Sequence, residues 1–305
     1  MRHKETKGTK APSPAHSSPF SSLPHVKYPA RKRSGRDAAG VHGSGPVVPK
    51  QKELNICGWA AVSALFARHP GEVRRLFFDP AAGKRAGEFS SRLAAERKVY
   101  RQVPADELEK IAGTVHHGGI VAVIAERPLR KVTREVLATW GATGAPVLVL
   151  DRVSNAHNVG AVARTAAFFG VTAIILPDHP QQALPGDAAY RVAEGGMEFV
   201  EFFRVPALPD FCAELKRTHF LVGTAVSGNQ LAPAAVKARG LPRPPALVLG
   251  NEEKGIAPGV AAACDRLVRI PGAGTVESLN VSAAAAVLCW EFFGNRAKAG
   301  PTPAR

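Results

Sequence analysis

Five polar side chains in the second half of the chain stand beside apolar runs, where a protein core would not hold them. They are Asn158, Arg164, Glu252, Ser278 and Asn280. A guanidinium group binds phosphates and carboxylates, whereas amide, hydroxyl and carboxylate oxygens orient polar ligands through hydrogen bonds. If the fold brings these side chains together, they could bind and orient a polar or anionic substrate.

The first segment, residues 151–170, begins at the end of a predicted strand, where open α/β sheets bind ligands. Asn155 and Asn158 suit a loop and a helix N-cap, and asparagines before a helix are usually only caps. Arg164 follows six residues after Asn158 on a helix otherwise made of small and apolar residues. Its guanidinium faces either solvent or a pocket, and this segment alone does not distinguish the two.

The other two segments have ordinary structural explanations when each is taken alone. Glu252 follows the apolar run LVLG, in a turn that could simply be a solvated Glu-Glu-Lys run. Ser278 and Asn280 precede an alanine-rich helix, where side-chain oxygens cap free amides and anions are favoured. The fingerprint G-x-G-x-x-G does not follow the first strand, which weakens the interpretation as an ordinary dinucleotide-binding fold.

Apolar runs alternate with helical patterns from Pro146 onward. Strands are predicted for PVLVLD, VTAIIL, FLVGTAV, ALVLG and RLVRI, and a closing helix for SLNVSAAAAVLCWEFF. This pattern predicts an α/β domain whose parallel sheet carries helices on both faces. Before it, ICGWAAVSALFAR and EFSSRLAAERK have helical spacing, and EVRRLFF and GGIVAVIAE predict strands of a small α/β domain.

The predicted organisation has five parts. Residues 1–52 contain few large apolar side chains and are expected to be a disordered basic tail. The remaining parts are a small α/β domain at 53–126, a linker with one helix at 127–145, the larger α/β domain at 146–297 and a frayed tail at 298–305.

The formal charge of +15 is concentrated near the N-terminus. Residues through Lys52 contain eleven Lys and Arg against two Asp and Glu. Nucleic acid is the favoured partner because neutralised phosphates release condensed counterions. The alternatives are a solvated tail that aids solubility and a membrane surface, and no amphipathic basic helix supports the latter.

Cys57, Cys212, Cys264 and Cys289 have no CxxC pairing and no histidine pair at metal-ligand spacing. We therefore expect reduced core cysteines and no metal site. The N-terminus lacks the apolar run of a secretory signal, and no segment approaches the roughly 20 apolar residues of a membrane span. A cytoplasmic protein without a membrane segment is expected.

In this order and spacing, the three segments resemble the sequence motifs of the SpoU (TrmH-like) family in the SPOUT superfamily. The matching patterns are N-x-x-N-x-G-x-x-x-R from Asn155, L-G-N-E-x-x-G from Leu249 and I-P-x-x-G-x-V-E-S-L-N-V-S from Ile270. Gly272 replaces a bulkier residue common in the last motif. Every proposed catalytic position is nevertheless filled.

The preceding segment, from Asn55 to about Glu126, resembles the small ribosomal-protein-like substrate-binding domain that often precedes the family's catalytic domain. This resemblance is carried by G-x-x-A-V at Gly58 and by H-H-G-G-I-V-A at His116. His117 and Gly119 differ from the usual pattern, which affects substrate fit rather than catalysis.

The family resemblance implies an enzyme that transfers a methyl group from S-adenosylmethionine to a ribose 2'-hydroxyl of structured RNA. It implies a deep trefoil knot, a homodimer and an RNA site assembled from both subunits. By this resemblance, the cofactor is held around Thr224, Leu249, Gly250, Ile270 and Leu279.

The same resemblance assigns 2'-hydroxyl activation to Arg164, with Asn158, Glu252, Ser278 and Asn280 orienting the arginine, the ribose or the cofactor. A guanidinium normally stays protonated. We therefore expect Arg164 to clamp an RNA phosphate and to stabilise the developing alkoxide.

The RNA target has two alternatives within the same chemistry. The basic tail and the auxiliary domain favour ribosomal RNA, because minimal family members that act on transfer RNA commonly lack that domain. A different class of function is an RNA-binding or ribosome-assembly factor that kept the fold without catalysis. The complete set of polar motif residues disfavours that class.

Overall fold

The computed structural model describes residues 51–230 and 241–294, with side chains at 226–230 left out. The predicted N-terminal tail, apart from its last two residues, and the predicted C-terminal tail lie outside the described residues.

A four-stranded sheet in the order β1-β4-β2-β3 organises the first part of the described chain. Its strands are β1 (Glu53–Cys57), β2 (Arg75–Phe78), β3 (Val99–Gln102) and β4 (Ile120–Ala125). Its helices are α1 (Trp59–Arg68), a 3₁₀ turn (Pro70–Glu72), α2 (Gly87–Ala95) and α3 (Ala105–Ala112). The apolar β4 pairs antiparallel with both β1 and β2, which fits its complete burial except at the last residue.

Two predictions for this part were incomplete. The run ICGWAAVSALFAR is not one helix, because Gly58 has φ of 90°, a value that favours glycine, and separates β1 from α1. Strand β3 was missed because all four of its residues are exposed at a sheet edge, so no apolar alternation marks it.

A seven-stranded parallel sheet in the order β11-β9-β10-β6-β7-β8-β5 organises the rest. Its strands are β5 (Arg130–Lys131), β6 (Val147–Asp151), β7 (Ala173–Pro177), β8 (Glu201–Val205), β9 (Phe220–Gln230), β10 (Pro245–Gly250) and β11 (Arg266–Arg269). Its helices are α4 (Arg134–Thr143), α5 (Ala156–Phe168), α6 (Asp187–Ala193), a 3₁₀ turn (Gly196–Phe199), α7 (Leu208–Leu215), α8 (Pro258–Ala263) and α9 (Val281–Phe293).

Helices cover both faces of this sheet, as predicted. Successive residues of β6 point to opposite faces. Leu148 and Leu150 join a core with residues of α5 and α9. Val147 and Val149 join a second core with residues of α4, α7 and α8. Neither face of the central strands is exposed to water, so their sequences are continuous apolar runs. The threading of the C-terminal segment into a knot stays a prediction.

The segment 127–145, predicted to be a linker, contributes to the second sheet. It contains β5, which pairs with β8, and α4. Leu137 and Trp140 of α4 are buried, and the Trp140 ring meets Phe203 edge-on at a centroid distance of 5.0 Å. The predicted helix is present, but its apolar face packs onto the second sheet instead of linking two separate bodies.

Polar contacts fix the small sheet against the larger one. The buried carboxylate of Glu198 accepts a hydrogen bond from Arg127 at 2.7 Å and lies 2.7 Å from Nδ1 of His69. The backbone amide of Asn55 donates to Asp187 at 3.1 Å. Burial raises the pKa of the Asp187 carboxyl, although this hydrogen bond opposes the shift.

The cysteines are free, as predicted. Cys57, Cys212 and Cys289 are buried, and Cys264 is half-buried. Burial raises the pKa of the Cys212 and Cys289 thiols to about 12. Within residues 51–230 and 241–294, no group of three or more His, Cys, Asp or Glu could hold a metal ion, and no helix is long and apolar enough to cross a membrane.

Candidate active site

The carboxyl ends of the central parallel strands bring the three motifs to one edge of the sheet. Gly250 at the end of β10 is in register with Asp151 at the end of β6. On the other side of β10, Val248 is in register with Gly223 of β9, so Thr224 follows at the same edge. The hydroxyl of Thr224 donates to the carbonyl of Val248 at 3.4 Å.

Asn155 caps the helix that carries the first motif. Its Oδ1 accepts a hydrogen bond from the amide of His157 at 2.8 Å, which is the ordinary N-cap role. Five residues later, Gly160 packs on α6. A Cβ at that position would lie 2.3 Å from the carbonyl oxygen of Ala189. The glycine therefore allows two helices to pack closely.

Three candidate residues, one from each motif, form a hydrogen-bonded chain. The side-chain amide of Asn158 donates to Oε1 of Glu252. The side-chain amide of Asn280 donates in turn to Oδ1 of Asn158 at 3.1 Å. Oδ1 of Asn280 also caps α9, accepting from the amide of Ser282 at 2.8 Å. Asn280 thus has both the capping role and a role in the cluster, and residues 158, 252 and 280 meet although they are far apart in sequence.

The turn that carries Glu252 is held by residues that the sequence analysis did not single out. Oδ1 of Asn251 accepts from the amides of Glu253 and Lys254, each at 3.0 Å. Its side-chain amide donates to the carbonyl of Arg152 at 2.9 Å. The turn is therefore fastened to the end of β6 rather than projecting freely.

Asp151 and Arg152 complete this attachment. The buried Asp151 carboxylate accepts from the amide of Ala257 at 2.6 Å and from Nε of Arg152 at 2.8 Å. The Arg152 guanidinium also donates to the carbonyl of Gly255 at 3.2 Å. Arg152 has φ of 60°, a strained value for a residue with a side chain. The sequence signal that could have identified Asp151 was a carboxylate at the end of an apolar strand.

An open pocket of about 530 Å³ lies beside this polar chain. It is lined by Ser154, Asn155, Asn158, Pro180, Gln181, Asn251, Glu252, Glu253 and Lys254. The pocket therefore contains Asn158 and Glu252, and it adds the loop around Gln181, which no sequence motif marked.

Arg164 lies apart from these residues within one chain. At about 100° per residue, a separation of six residues places it on a different side of α5 from Asn158. A Cβ at Gly196 would lie 2.8 Å from the Cα of Arg164, so this side of α5 faces the 3₁₀ turn. The guanidinium is exposed and pairs with Glu194 at 2.9 Å. The single chain does not bring Arg164 to Glu252.

The third motif contributes an exposed segment with little structure of its own. Residues 271–280 are all exposed, and they include Ser278 and Leu279. Ile270, just before them, packs against the core that α9 shares with the sheet.

Comparison with known proteins identifies the family of this chain. The model of the SpoU rRNA Methylase family matches residues 145–290, and the model for RNA 2'-O ribose methyltransferase substrate binding matches residues 55–130. The 23S rRNA (guanosine-2'-O-)-methyltransferase RlmB of Nitrosomonas europaea is 35% identical over 242 residues, which cover 78% of this chain and 90% of that protein. The chain belongs to the SpoU rRNA methylase family.

Two further similarities fit the SpoU assignment. The RlmB protein of Ralstonia nicotianae is 36% identical over 251 residues, covering 80% of this chain and 97% of that protein. The solved structure of the SpoU methyltransferase AviRb from Streptomyces viridochromogenes, in complex with AdoMet, has a TM-score of 0.62 at 24% identity, covering 80% of this chain and 90% of that one. At that identity, the structural match supports the fold.

The residues at the SpoU cofactor positions suit S-adenosylmethionine chemically. Within 270–279, no backbone group hydrogen-bonds to another backbone group among residues 51–230 and 241–294, which suits a segment that binds a ligand through its amides and carbonyls. Leu279 exposes an apolar side chain. An adenosine needs such hydrogen bonds and an apolar contact more than it needs charge.

Gly250 belongs to the same edge of the sheet and has a strict packing requirement. A Cβ at this position would lie 2.3 Å from the carbonyl carbon of Gly255 and 2.4 Å from the amide nitrogen of Ile256. Only glycine fits here, and it lets the motif turn fold back onto the end of β10.

Proposed function

We propose that this chain methylates a ribose 2'-hydroxyl of ribosomal RNA with S-adenosylmethionine as the methyl donor. The observation that carries the proposal is the hydrogen-bonded chain from Asn280 through Asn158 to Glu252, beside an open polar pocket. According to their names, the two RlmB relatives described above methylate guanosine 2'-hydroxyls of 23S rRNA. A 23S guanosine is therefore the first target to test, and the cytoplasm is the expected location.

The cofactor, when bound, supplies an electrophilic methyl group whose leaving group is a neutral thioether. No acid is then needed on that side, so the chain has to bind and orient the ribose oxygen. We assign cofactor binding to Thr224, Leu249 and Gly250 at the edge of the sheet and to Ile270 and Leu279 of the third motif.

Glu252 is the group best placed to orient the acceptor hydroxyl. Its Oε1 is occupied by Asn158, and no partner within the described residues is recorded for Oε2. That oxygen can accept a hydrogen bond from a ribose hydroxyl. Asn158 and Asn280 fix the carboxylate, and the Ser278 hydroxyl, exposed in the third motif, is a further contact to substrate or cofactor.

Arg164 is assigned to the phosphate next to the reacting ribose. Its guanidinium donors can stabilise an alkoxide that develops on the 2'-oxygen. Because Arg164 pairs with Glu194 in its own chain, we propose that it serves the Glu252 site of a second copy in a homodimer.

An apolar surface on α5 and α9 supports the homodimer. The side chains of Phe168 and Trp290 are 79% and 68% exposed, and Val287 is 39% exposed. The Phe169 ring connects the two helices, at 6.4 Å from the Trp290 ring. A contiguous aromatic surface of this kind is typical of a protein interface.

Transfer of labelled methyl groups tests the proposed function. Purified full-length protein, tritiated S-adenosylmethionine and unmodified 23S rRNA should give tritium in the RNA, resistant to alkaline cleavage at the methylated nucleotide. A parallel reaction uses total transfer RNA. Label in transfer RNA alone would favour the alternative substrate, and label in neither RNA would contradict the proposal.

A further inference from the structure

Four side chains of the small domain form a stack that runs from its core to its surface. The rings of Phe66 and Phe89 are 4.2 Å apart, and those of Phe89 and Trp59 are 6.3 Å apart. The central guanidinium carbon of Arg85 lies over the Trp59 ring, 4.1 Å from its centroid. In the other arginine–ring contacts recorded for the described residues, this distance is 5.4 Å or more.

Arg85 is available to a ligand. Its side chain is exposed, and no carboxylate lies within ion-pair distance among the residues that the structure describes. The neighbouring Lys84 is also exposed and without a recorded ion pair in that part of the chain. By contrast, Arg92 on the α2 helix, which begins two residues after Arg85, lies 3.9 Å from the carboxylate of Glu96. The uncompensated positive charge therefore lies at the open end of the aromatic stack.

The loop before β4 lies beside this stack. A Cβ at Gly118 would be 3.4 Å from the Cα of Gly58, the residue that precedes Trp59. Gly118 has φ of 59°, so the loop turns sharply here, and His116 is exposed on it. The two sequence patterns of the small domain, at Gly58 and at His116, thus meet at one surface.

The Arg85 guanidinium lies close over the Trp59 ring, and its side chain is exposed to solvent. Guanidinium groups and aromatic rings stack on unpaired nucleobases, and nearby cations bind the adjoining phosphates. We propose that Arg85, supported by Trp59, is a stacking platform for one unpaired nucleotide of the RNA substrate. This proposal rests on the proposed function because it takes RNA as the ligand. It adds a base contact in the small domain, away from the Glu252 pocket.

The position of Trp59 makes this platform rigid. The indole is half-buried between Arg85 and Phe89, and the Phe66 ring on the far side is buried in the core. A base that stacks on Arg85 therefore meets a side chain that is already oriented, which reduces the entropy lost on binding.

Binding of single-stranded RNA with and without bases tests the proposal. The probes are a fluorescein-labelled RNA decamer of mixed sequence and a decamer whose central three nucleotides are abasic. Both carry the same phosphates. The full-length wild-type protein should bind the intact decamer about tenfold more tightly than the abasic one. Equal affinity, or no measurable binding of either decamer, would contradict a stacking platform.

Three variants locate the base contact. Arg85→Ala should remove the preference for the intact decamer. Arg85→Lys keeps the charge but loses the planar group, so it should remove most of that preference while retaining phosphate affinity. Arg92→Ala removes a positive charge from the α2 helix that follows Arg85 and should leave the preference unchanged. A preference that survives Arg85→Ala, or falls equally in Arg92→Ala, would overturn the proposal. Thermal unfolding midpoints confirm that each variant is folded.

Methyl-transfer assays distinguish a failure of the stacking proposal from a failure of the proposed function. Arg85→Ala should raise KM for 23S rRNA about tenfold with little change in kcat, because the platform is remote from the reacting atoms. If wild-type protein transfers methyl groups and Arg85→Ala has an unchanged KM, only the stacking proposal fails. If wild-type protein transfers none, the proposed function itself fails.

Discussion

At the scale of single residues, Asn158 connects the first motif to the other two. It donates to Glu252 and accepts from Asn280. Asn158→Ala removes both contacts and leaves the Glu252 carboxylate free to rotate. We expect kcat for methyl transfer to fall about a hundredfold, since misplacement of about 1 Å has that cost.

Cofactor affinity is the control for that variant. Asn158 is not among the residues assigned to S-adenosylmethionine, so the Kd measured by calorimetry should change less than about twofold. An unchanged kcat in Asn158→Ala would show that Glu252 needs no positioning by this amide. A large loss of cofactor affinity would move Asn158 to a different role.

Gly160 and Gly250 show packing constraints that the sequence motifs only implied. At Gly160, a Cβ would overlap the backbone of Ala189 in α6. Gly160→Ala should therefore lower the free energy of unfolding by about 3 kcal/mol. The matched control is Gly87→Ala, because a Cβ at Gly87 has no atom within 4 Å. Chemical denaturation of both variants checks the difference, and equal stability would contradict the close helix packing.

At the scale of elements, the sequence was sufficient wherever a strand or helix is long and apolar. The patterns of β4, β6, β7, β10 and α9 predicted their type, because burial on both sides leaves continuous apolar runs. Short elements such as β3 and β5 were missed, since two to four exposed residues carry no periodic signal.

The contacts within the site were predictable only in part. The resemblance to the SpoU motifs implied that Asn158, Glu252 and Asn280 would act at one site. It could not reveal the buried Asp151, the strained Arg152 or the loop at Gln181, because those roles depend on which loops the fold places side by side. Arg164 shows the same limit, since its pairing with Glu194 follows from the packing of α5 on α6.

The apolar surface of α5 and α9 carries the prediction at this scale. Trp290→Glu places a charge in the surface that we assign to the homodimer, and it should convert the dimer to a monomer. Sedimentation equilibrium measures the mass directly. Val99→Glu, at an exposed apolar residue of the small domain, is the control and should stay dimeric. A wild-type protein that sediments as a monomer would contradict the proposed interface.

At the scale of the whole molecule, buried polar contacts connect two sheets that have different proposed roles. The small domain contains the stack of Arg85 and Trp59, and the larger domain contains the Asn158–Glu252–Asn280 cluster. Glu198 connects them through His69 and Arg127. This fixed arrangement allows RNA held by one domain to be presented at a defined distance from the other.

The proposed homodimer would bring Arg164 of one chain to the polar pocket of the other. Arg164 and Glu252 are proposed to meet only across the subunit boundary, so two inactive variants should complement each other. A chain with Arg164→Ala keeps an intact Glu252, and a chain with Glu252→Ala keeps an intact Arg164. A heterodimer of the two has one site with both residues and one site with neither.

Methyl transfer by that heterodimer tests whether Arg164 of one chain and Glu252 of the other form one active site. The two variants are co-expressed with different affinity tags, and the heterodimer is isolated by purification on both tags in turn. Each mutant homodimer should be inactive on 23S rRNA, and the heterodimer should recover about half of the wild-type rate per dimer. A heterodimer as inactive as either homodimer would contradict an active site shared between subunits.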